Sequence, residues 1–274
     1  TAFTCPLCNI TRDQYRDYFA GIGGSRRNRM NHRSTIKRLL NWAKENDYLA
    51  LDHRGLPRSV GKVKLVPKRV GVYNKHERDF LIEQADPVEL PMTLIKAYTP
   101  IRAKESGVAC WESLDWHTSI LMVWPDEAKT RSPRAIHLPR ELCEKLRPLA
   151  RPSGRIYPYK SFYKVGPRLA KRAGLKWIRN GWRTTVISHL QAAVNDLERV
   201  AEEAGTSKRK IKSNYLKILS PKDGRAYFGL AKGERHPIEP GYNAEKYGVD
   251  PEVAIRAADD VENIIPAQFR AQCA

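Results

Sequence analysis

The stretch NGWRTTVISHL, residues 180–190, sets an arginine against an apolar helix face. Trp182, Val186, Ile187 and Leu190 recur at near-helical spacing, and Arg183 stands at the edge of that face. A guanidinium held beside a core is costly unless something anionic meets it, so Arg183 calls for a partner. A second candidate is Arg102, three residues before Glu105 in TPIRAKESG, where an i, i+3 ion pair is the simplest reading. A third is CPLC: Cys5 and Cys8 make half a zinc site. No second pair at metal spacing follows, because Cys110, Cys143 and Cys273 stand alone. No metal is therefore expected, and the thiols read as free cysteines of an intracellular protein.

The charge balance says what the anion is. The chain has 274 residues, 41% hydrophobic and 29% charged, with a formal net charge of +19. The excess is +10 over residues 1–72 and +9 over the rest. A polyanion that meets both halves is the economical partner, and nucleic acid is the first candidate. An anionic membrane fits less well, since no long helix pattern carries one clean basic face. No apolar run approaches the roughly 18 residues of a membrane span, and no segment reads as a signal peptide. A cytoplasmic, nucleic-acid-associated protein is expected.

The elements that must position these residues follow from periodicity. Residues 11–20 (TRDQYRDYFA) predict a short helix with Thr11 as N-cap, and residues 28–49 a stronger one with an Ile36, Leu39, Leu40, Trp42, Ala43 stripe. Residues 53–72 carry Gly, Pro and scattered Lys and Arg without a helical period, and predict an extended basic linker. Helices are expected at 75–85 and 90–101, strands at 117–124 and 134–139, and helices again from ELCEKLRPLA, SFYKVGPRLAKRAG, the 180–190 stretch, 196–205 and 207–219. A last helix is read at PEVAIRAADDVENII. The expected fold is mainly α with a small antiparallel β-sheet.

Four segments together resemble the tyrosine recombinases and phage-type integrases. The resemblance runs from about residue 11 to about residue 230 of the sequence and implies a helical core-binding domain plus a tyrosine-recombinase-like catalytic domain. TPIRAKESGVACWESLDW places Arg102, Glu105 and Trp111 at the family's offsets for its first arginine. DEAKTRSPRAIHLP supplies Lys129 where the family has a catalytic lysine, although Lys104 and Lys160 are alternatives. NGWRTTVISHL supplies Arg183 and His189, and KSNYLKIL supplies Tyr215, 32 residues after Arg183, where the nucleophile belongs. The implied layout is 1–52 as part of the DNA-binding core-binding domain, 53–72 as linker, 73–230 as catalytic domain and 231–274 as a tail that docks on a neighbouring protomer.

The resemblance implies DNA breaking and rejoining through a 3′-phosphotyrosine, without metal, ATP or other cofactor. A tyrosine hydroxyl attacks a phosphodiester and stores the bond energy. Two arginine forks, Arg102 and Arg183, meet the charge that spreads over the non-bridging oxygens. Lys129 protonates the leaving oxygen. Double-stranded DNA is the implied partner, with a dimer or tetramer assembled on it, room for accessory proteins, and a setting such as a mobile element. Arg26, Arg27, Arg33, Lys37, Arg38, Lys62, Lys64, Lys208 and Arg209 are the expected DNA contacts.

Two positions depart from the pattern. Asn180 stands where the family has a histidine three residues before the second arginine, and Thr206 where it has histidine or tryptophan. Asn180 can hydrogen-bond a phosphate oxygen but cannot transfer a proton near neutral pH, and loss of a general acid or base commonly costs about 10²–10⁴ in rate. Reduced activity, or a catalytically impaired or inactive DNA-binding protein on the same scaffold, is the alternative. Each residue also has an ordinary reading: Arg102 as partner of Glu105, Lys129 and residues 26–38 as solvated charge, His189 and Tyr215 as packing groups. Tyr227, 44 residues after Arg183, is a competing nucleophile. An RNA-binding or scaffold protein remains the reading in which the matches are coincidence.

Overall fold

A computed structural model describes residues 5–64, 69–124, 133–159, 161–240 and 242. The chain divides into two compact units, Thr1–Lys68 and Arg69–Ala274.

In the first unit, α1 (Arg12–Gly21) opens on Thr11, whose hydroxyl accepts from the Gln14 N–H while the Gln14 side chain accepts from the Thr11 N–H. This capping box satisfies two backbone donors that a helix start leaves orphaned. Helix α2 (Arg26–Glu45) is capped by Ser25, so it begins and ends somewhat earlier than the periodicity suggests. Tyr15, Phe19, Leu40 and Ala43 form the core between the two helices, and Leu49 and Val60 are buried with them. Over residues 53–64 the expected basic linker packs on the two helices, with Val60 buried and Leu56 half-buried against them. Apolar residues interspersed among its cations give it something to bury. Arg33 donates to the Arg58 carbonyl at 3.0 Å, Lys44 to the Leu51 and His53 carbonyls, and Gly61 passes the Phe19 ring at φ +63° where a Cβ would lie 2.8 Å from it.

The second unit starts with α3 (Lys75–Glu83), capped by Asn74, and α4 (Leu90–Tyr98), which is buried from Pro91 to Tyr98. A three-stranded antiparallel sheet follows in the order β1 (Leu114–Asp115), β2 (Ile120–Val123), β3 (Arg134–His137). Leu121 pairs Leu114 on one side and Ile136 on the other, so one face of the sheet enters the core. Helices α5 (Arg140–Leu146), α6 (Val165–Arg172), α7 (Gly181–Val194), α8 (Leu197–Glu203), α9 (Lys208–Asn214) and α10 (Pro221–Tyr227) complete it. The sequence reading missed α10. Gly224, in its middle, looks like a breaker. That glycine is where α10 crosses α7: a Cβ there would meet the Ala193 amide nitrogen at 2.5 Å. The expected helix at PEVAIRAADDVENII lies outside the described residues, but the start of the expected tail packs on this unit, with Ile238 in its core.

Candidate functional site

The polar site of the second unit is built around Glu105, a nearly fully buried carboxylate in the short 3₁₀ turn after α4. One oxygen accepts the Arg102 amide at 2.7 Å, and the other accepts Arg102 Nη1 at 2.6 Å. Arg134, at the start of β3, brings a fork to the same carboxylate, Nη1 at 3.0 Å and Nη2 at 2.8 Å. Burial pushes the Glu105 carboxyl up, but the Arg134 and Arg102 bonds outweigh it and hold the group ionised, below its ordinary value. Arg102 also donates to the Gly205 carbonyl, which ties this cluster to the turn between α8 and α9.

Arg183 sits in the first turn of α7. Its two terminal nitrogens donate to the Pro100 and Ala204 carbonyls, so backbone oxygens from two turns are what a guanidinium at the edge of the core meets. Burial first, then the repulsion of Arg102 and Arg134, lowers its pKa to about 10, with Tyr215 and Glu105 acting the other way. It stays charged at neutral pH. Its guanidinium lies 5.5 Å from the centre of the Tyr215 ring, within cation–π reach.

Tyr215 is the residue at which α9 ends. Its position is set by Ser188 of α7, whose hydroxyl donates to the Tyr215 carbonyl at 2.8 Å and accepts the Lys217 amide at 3.0 Å. Arg102, Arg134, Arg183, Thr206, Lys208 and Tyr215 line one open cleft of about 1220 Å³. Four of the expected catalytic residues, Arg102, Arg183, Thr206 and Tyr215, therefore share one surface. Asn180 does not line that cleft. It is exposed, in the left-handed region at φ 58°, and it lines a smaller cavity of about 80 Å³ that Arg183 also borders. Buried Lys96 lies on that cavity too, donating to Ser106 at 3.3 Å, with its pKa lowered to about 8 by burial and by Arg183. Lys129 and Lys160 lie outside the described residues.

Two competing readings are resolved by burial. Tyr227 is fully buried, donates to the Ala97 carbonyl at 2.7 Å and stacks on His189 at 4.0 Å, so its hydroxyl is closed to a polymer. His189 holds the Tyr73 carbonyl at 2.9 Å and is a packing group. Of the expected DNA contacts, Arg26, Arg27, Lys37, Arg38, Lys62, Lys64 and Arg209 are exposed. Arg33 holds the turn at Arg58, and Lys208 pairs with Glu198 at 2.8 Å.

Sequence reasoning missed Arg134, Ser188 and the His137–Glu203 pair, in which His137 Nδ1 lies 2.8 Å from Glu203. A charged residue at each end of the four-residue strand RAIH was the available signal for two of them. Among the described residues no cluster of three or more His, Cys, Asp or Glu could hold a metal, and no helix is long and apolar enough to cross a membrane.

No protein-family model and no curated protein matches the chain. Solved structures do. A post-cleavage complex of the XerH site-specific recombinase with palindromic difH substrate aligns with TM-score 0.56 and 16% identity, covering 94% of this chain and 72% of that one. Its pre-cleavage complex with difH aligns with TM-score 0.54 and 16% identity, covering 81% and 68%. The integrase of mycobacterium phage Brujita matches at 17% identity and TM-score 0.43, covering 91% and 84%. The chain has the tyrosine-recombinase fold.

Proposed function

We propose that this protein is a site-specific DNA recombinase of the integrase kind, which breaks and rejoins duplex DNA through a 3′-phosphotyrosine on Tyr215. The observation that carries this reading is that two arginines and a tyrosine, 102, 183 and 215 in a sequence of 274, line one basic cleft. In the proposed step the Tyr215 hydroxyl gives up its proton to solvent, its oxygen bonds to phosphorus and the bond to the 5′ oxygen breaks. The guanidiniums of Arg102 and Arg183 stabilise the charge on the non-bridging oxygens. Each spends only part of its five donors on backbone and Glu105, so each has N–H groups left for phosphate. Lys129 is assigned the proton for the leaving oxygen, and Thr206 a hydrogen bond to the phosphate. Rejoining reverses the step, with the 5′-hydroxyl of another strand as the attacking group.

The first unit, with its exposed cations on α2, is assigned duplex binding through phosphates. A dimer or tetramer on DNA, with the tail of residues 231–274 docking on a neighbour, completes the reading. The XerH structures hold their difH substrate in the same fold, which supports DNA as the partner here. A second reading, a DNA-binding protein with weak or no cleavage, is favoured by Asn180 and Thr206, which cannot transfer protons as histidine does.

The two readings part on a nicked suicide duplex, selected from a randomised pool by binding, in which the cleaved fragment diffuses away. The first predicts a denaturant-resistant adduct whose peptide mass maps to Tyr215. Tight binding with no adduct overturns it and leaves the second. Ser188→Ala gives a graded check. It leaves the Tyr215 carbonyl and Lys217 amide unpaired, at about 1–3 kcal/mol. A small displacement of a reacting group is costly in rate. Adduct formation is expected to slow roughly tenfold with DNA affinity unchanged, read by single-turnover kinetics and anisotropy. An unchanged rate removes Ser188 from the positioning of Tyr215.

A further inference from the structure

The cleft has a protonatable group that the catalytic reading does not use. His137 ends β3 and lines the same cleft as Arg102, Arg183 and Tyr215. Glu203, on α8, holds it twice: one carboxylate oxygen accepts the His137 amide at 2.7 Å, and the other meets Nδ1 at 2.8 Å. Glu203 is 3% exposed, while a third of the His137 side chain is open to solvent. The Glu203 carbonyl in turn accepts Arg134 Nε at 3.1 Å, so the pair is fixed to the Arg134–Glu105–Arg102 cluster. Nε2 of His137 makes no hydrogen bond among the described residues.

We propose that His137 is a pH-gated phosphate ligand of this cleft, donating from Nε2 to the DNA backbone when protonated. The inference rests on the reading that the cleft takes DNA. The gating follows from the tautomer. A buried carboxylate needs the Nδ1 proton, so the proton that leaves on raising pH is the one on Nε2. The same atom then turns from a donor into a lone pair aimed at an anion. The Glu203 hydrogen bond raises the His137 pKa above its ordinary value, against the burial that lowers it. The groups that act on the ring are few. From α8 there is Glu203, while Arg134, on its own strand, is taken up by the Glu203 carbonyl and the Glu105 carboxylate. After α10 there is buried His236, itself pushed down to about 3 by burial and by His137 and therefore neutral. The residue paired with it on β2, Ile120, is uncharged. Affinity for DNA is therefore highest below the raised pKa and falls as pH rises through it.

The test is anisotropy titration of a random-sequence duplex, at several salt concentrations, at about pH 6 and about pH 8.5 on either side of the imidazole range. The wild type is compared with His137→Gln and His137→Lys. Losing one phosphate contact lowers the salt slope by about 0.9 at the lower pH, and binding weakens roughly ten- to a hundredfold for a charge-assisted bond. The Gln variant shows these losses at low pH and matches the wild type at high pH. The Lys variant keeps wild-type low-pH affinity at both. An identical pH and salt dependence for wild type and Gln variant overturns the inference while leaving the cleft reading intact; a wild type that does not bind duplex at all overturns both. Should the variants fail to fold, the His137 ring resonance in the wild type decides by linkage: its pKa rises when duplex is added, and an unmoved value refutes the contact.

Discussion

Tyr215→Phe is expected to abolish the covalent protein–DNA adduct, a loss of about 10³-fold or more in yield, since removing a nucleophile outright leaves only the effects of binding. The substitution is a clean one in this fold. The Tyr215 hydroxyl makes no hydrogen bond among the described residues, and the bonds that hold the residue run through its backbone, from Ser188 and to the Ile211 carbonyl. The ring that Arg183 faces is also kept. Phenylalanine therefore removes the hydroxyl proposed to react and little else, and duplex affinity should stay within about twofold of wild type, as for a change that removes no buried contact. Tyr227→Phe is the opposite control. It deletes a buried bond to the Ala97 carbonyl, so it should lower stability by about 1–3 kcal/mol through the orphaned acceptor and still give the adduct. An adduct that persists in Tyr215→Phe and vanishes in Tyr227→Phe would exchange the two roles, against the burial of Tyr227.

Residues near in sequence and residues joined only by the fold differed in how much of the site was legible beforehand. Thr11 and the capping residue Gln14 lie three apart, and the start of α1 could be read directly. The i, i+3 pair of Arg102 and Glu105 was readable for the same reason. The partners of Arg183 were not. Its acceptors are carbonyls 83 and 21 residues away, and a backbone oxygen carries no residue-type signal. The expectation of an anionic partner was therefore only half of the answer, because neutral carbonyls already hold the fork in place. Arg134 was overlooked because a charged residue at a strand end is usually solvated, whereas here the edge of the sheet faces a buried carboxylate. The basic stretch before residue 64 misled in the other direction. Its composition resembles a linker, yet within it Val60 is buried and Leu56 half-buried against the core of α1 and α2.

Glu105→Gln carries the largest expected effect on stability. The side chain keeps its shape, so the change reads charge and hydrogen bonding alone. In the wild type the carboxylate accepts the Arg102 amide and three guanidinium N–H groups. A glutamine there turns one acceptor into a donor facing donors. It also leaves Arg102 and Arg134 without their counter-charge, next to an Arg183 already lowered by their repulsion. Removing one partner of a buried ion pair costs about 3–5 kcal/mol, and urea unfolding of the second unit, followed by its buried tryptophans, should show a loss of that size near neutral pH. The pH dependence separates this cause from a packing defect. Glu105 titrates below its unfolded value, so its contribution is present above about pH 4.3, the unfolded value of a glutamate, and is lost as pH falls through the lower folded value. The gap between wild type and variant should accordingly narrow on acidification, whereas a packing defect would leave it constant. Adduct formation should fall by about 10² or more, as when a transition-state donor is misplaced, because the same carboxylate aims Arg102 into the cleft. A variant as stable as wild type at neutral pH, with full cleavage, would mean that the arginines are held by the Gly205 and Glu203 carbonyls alone.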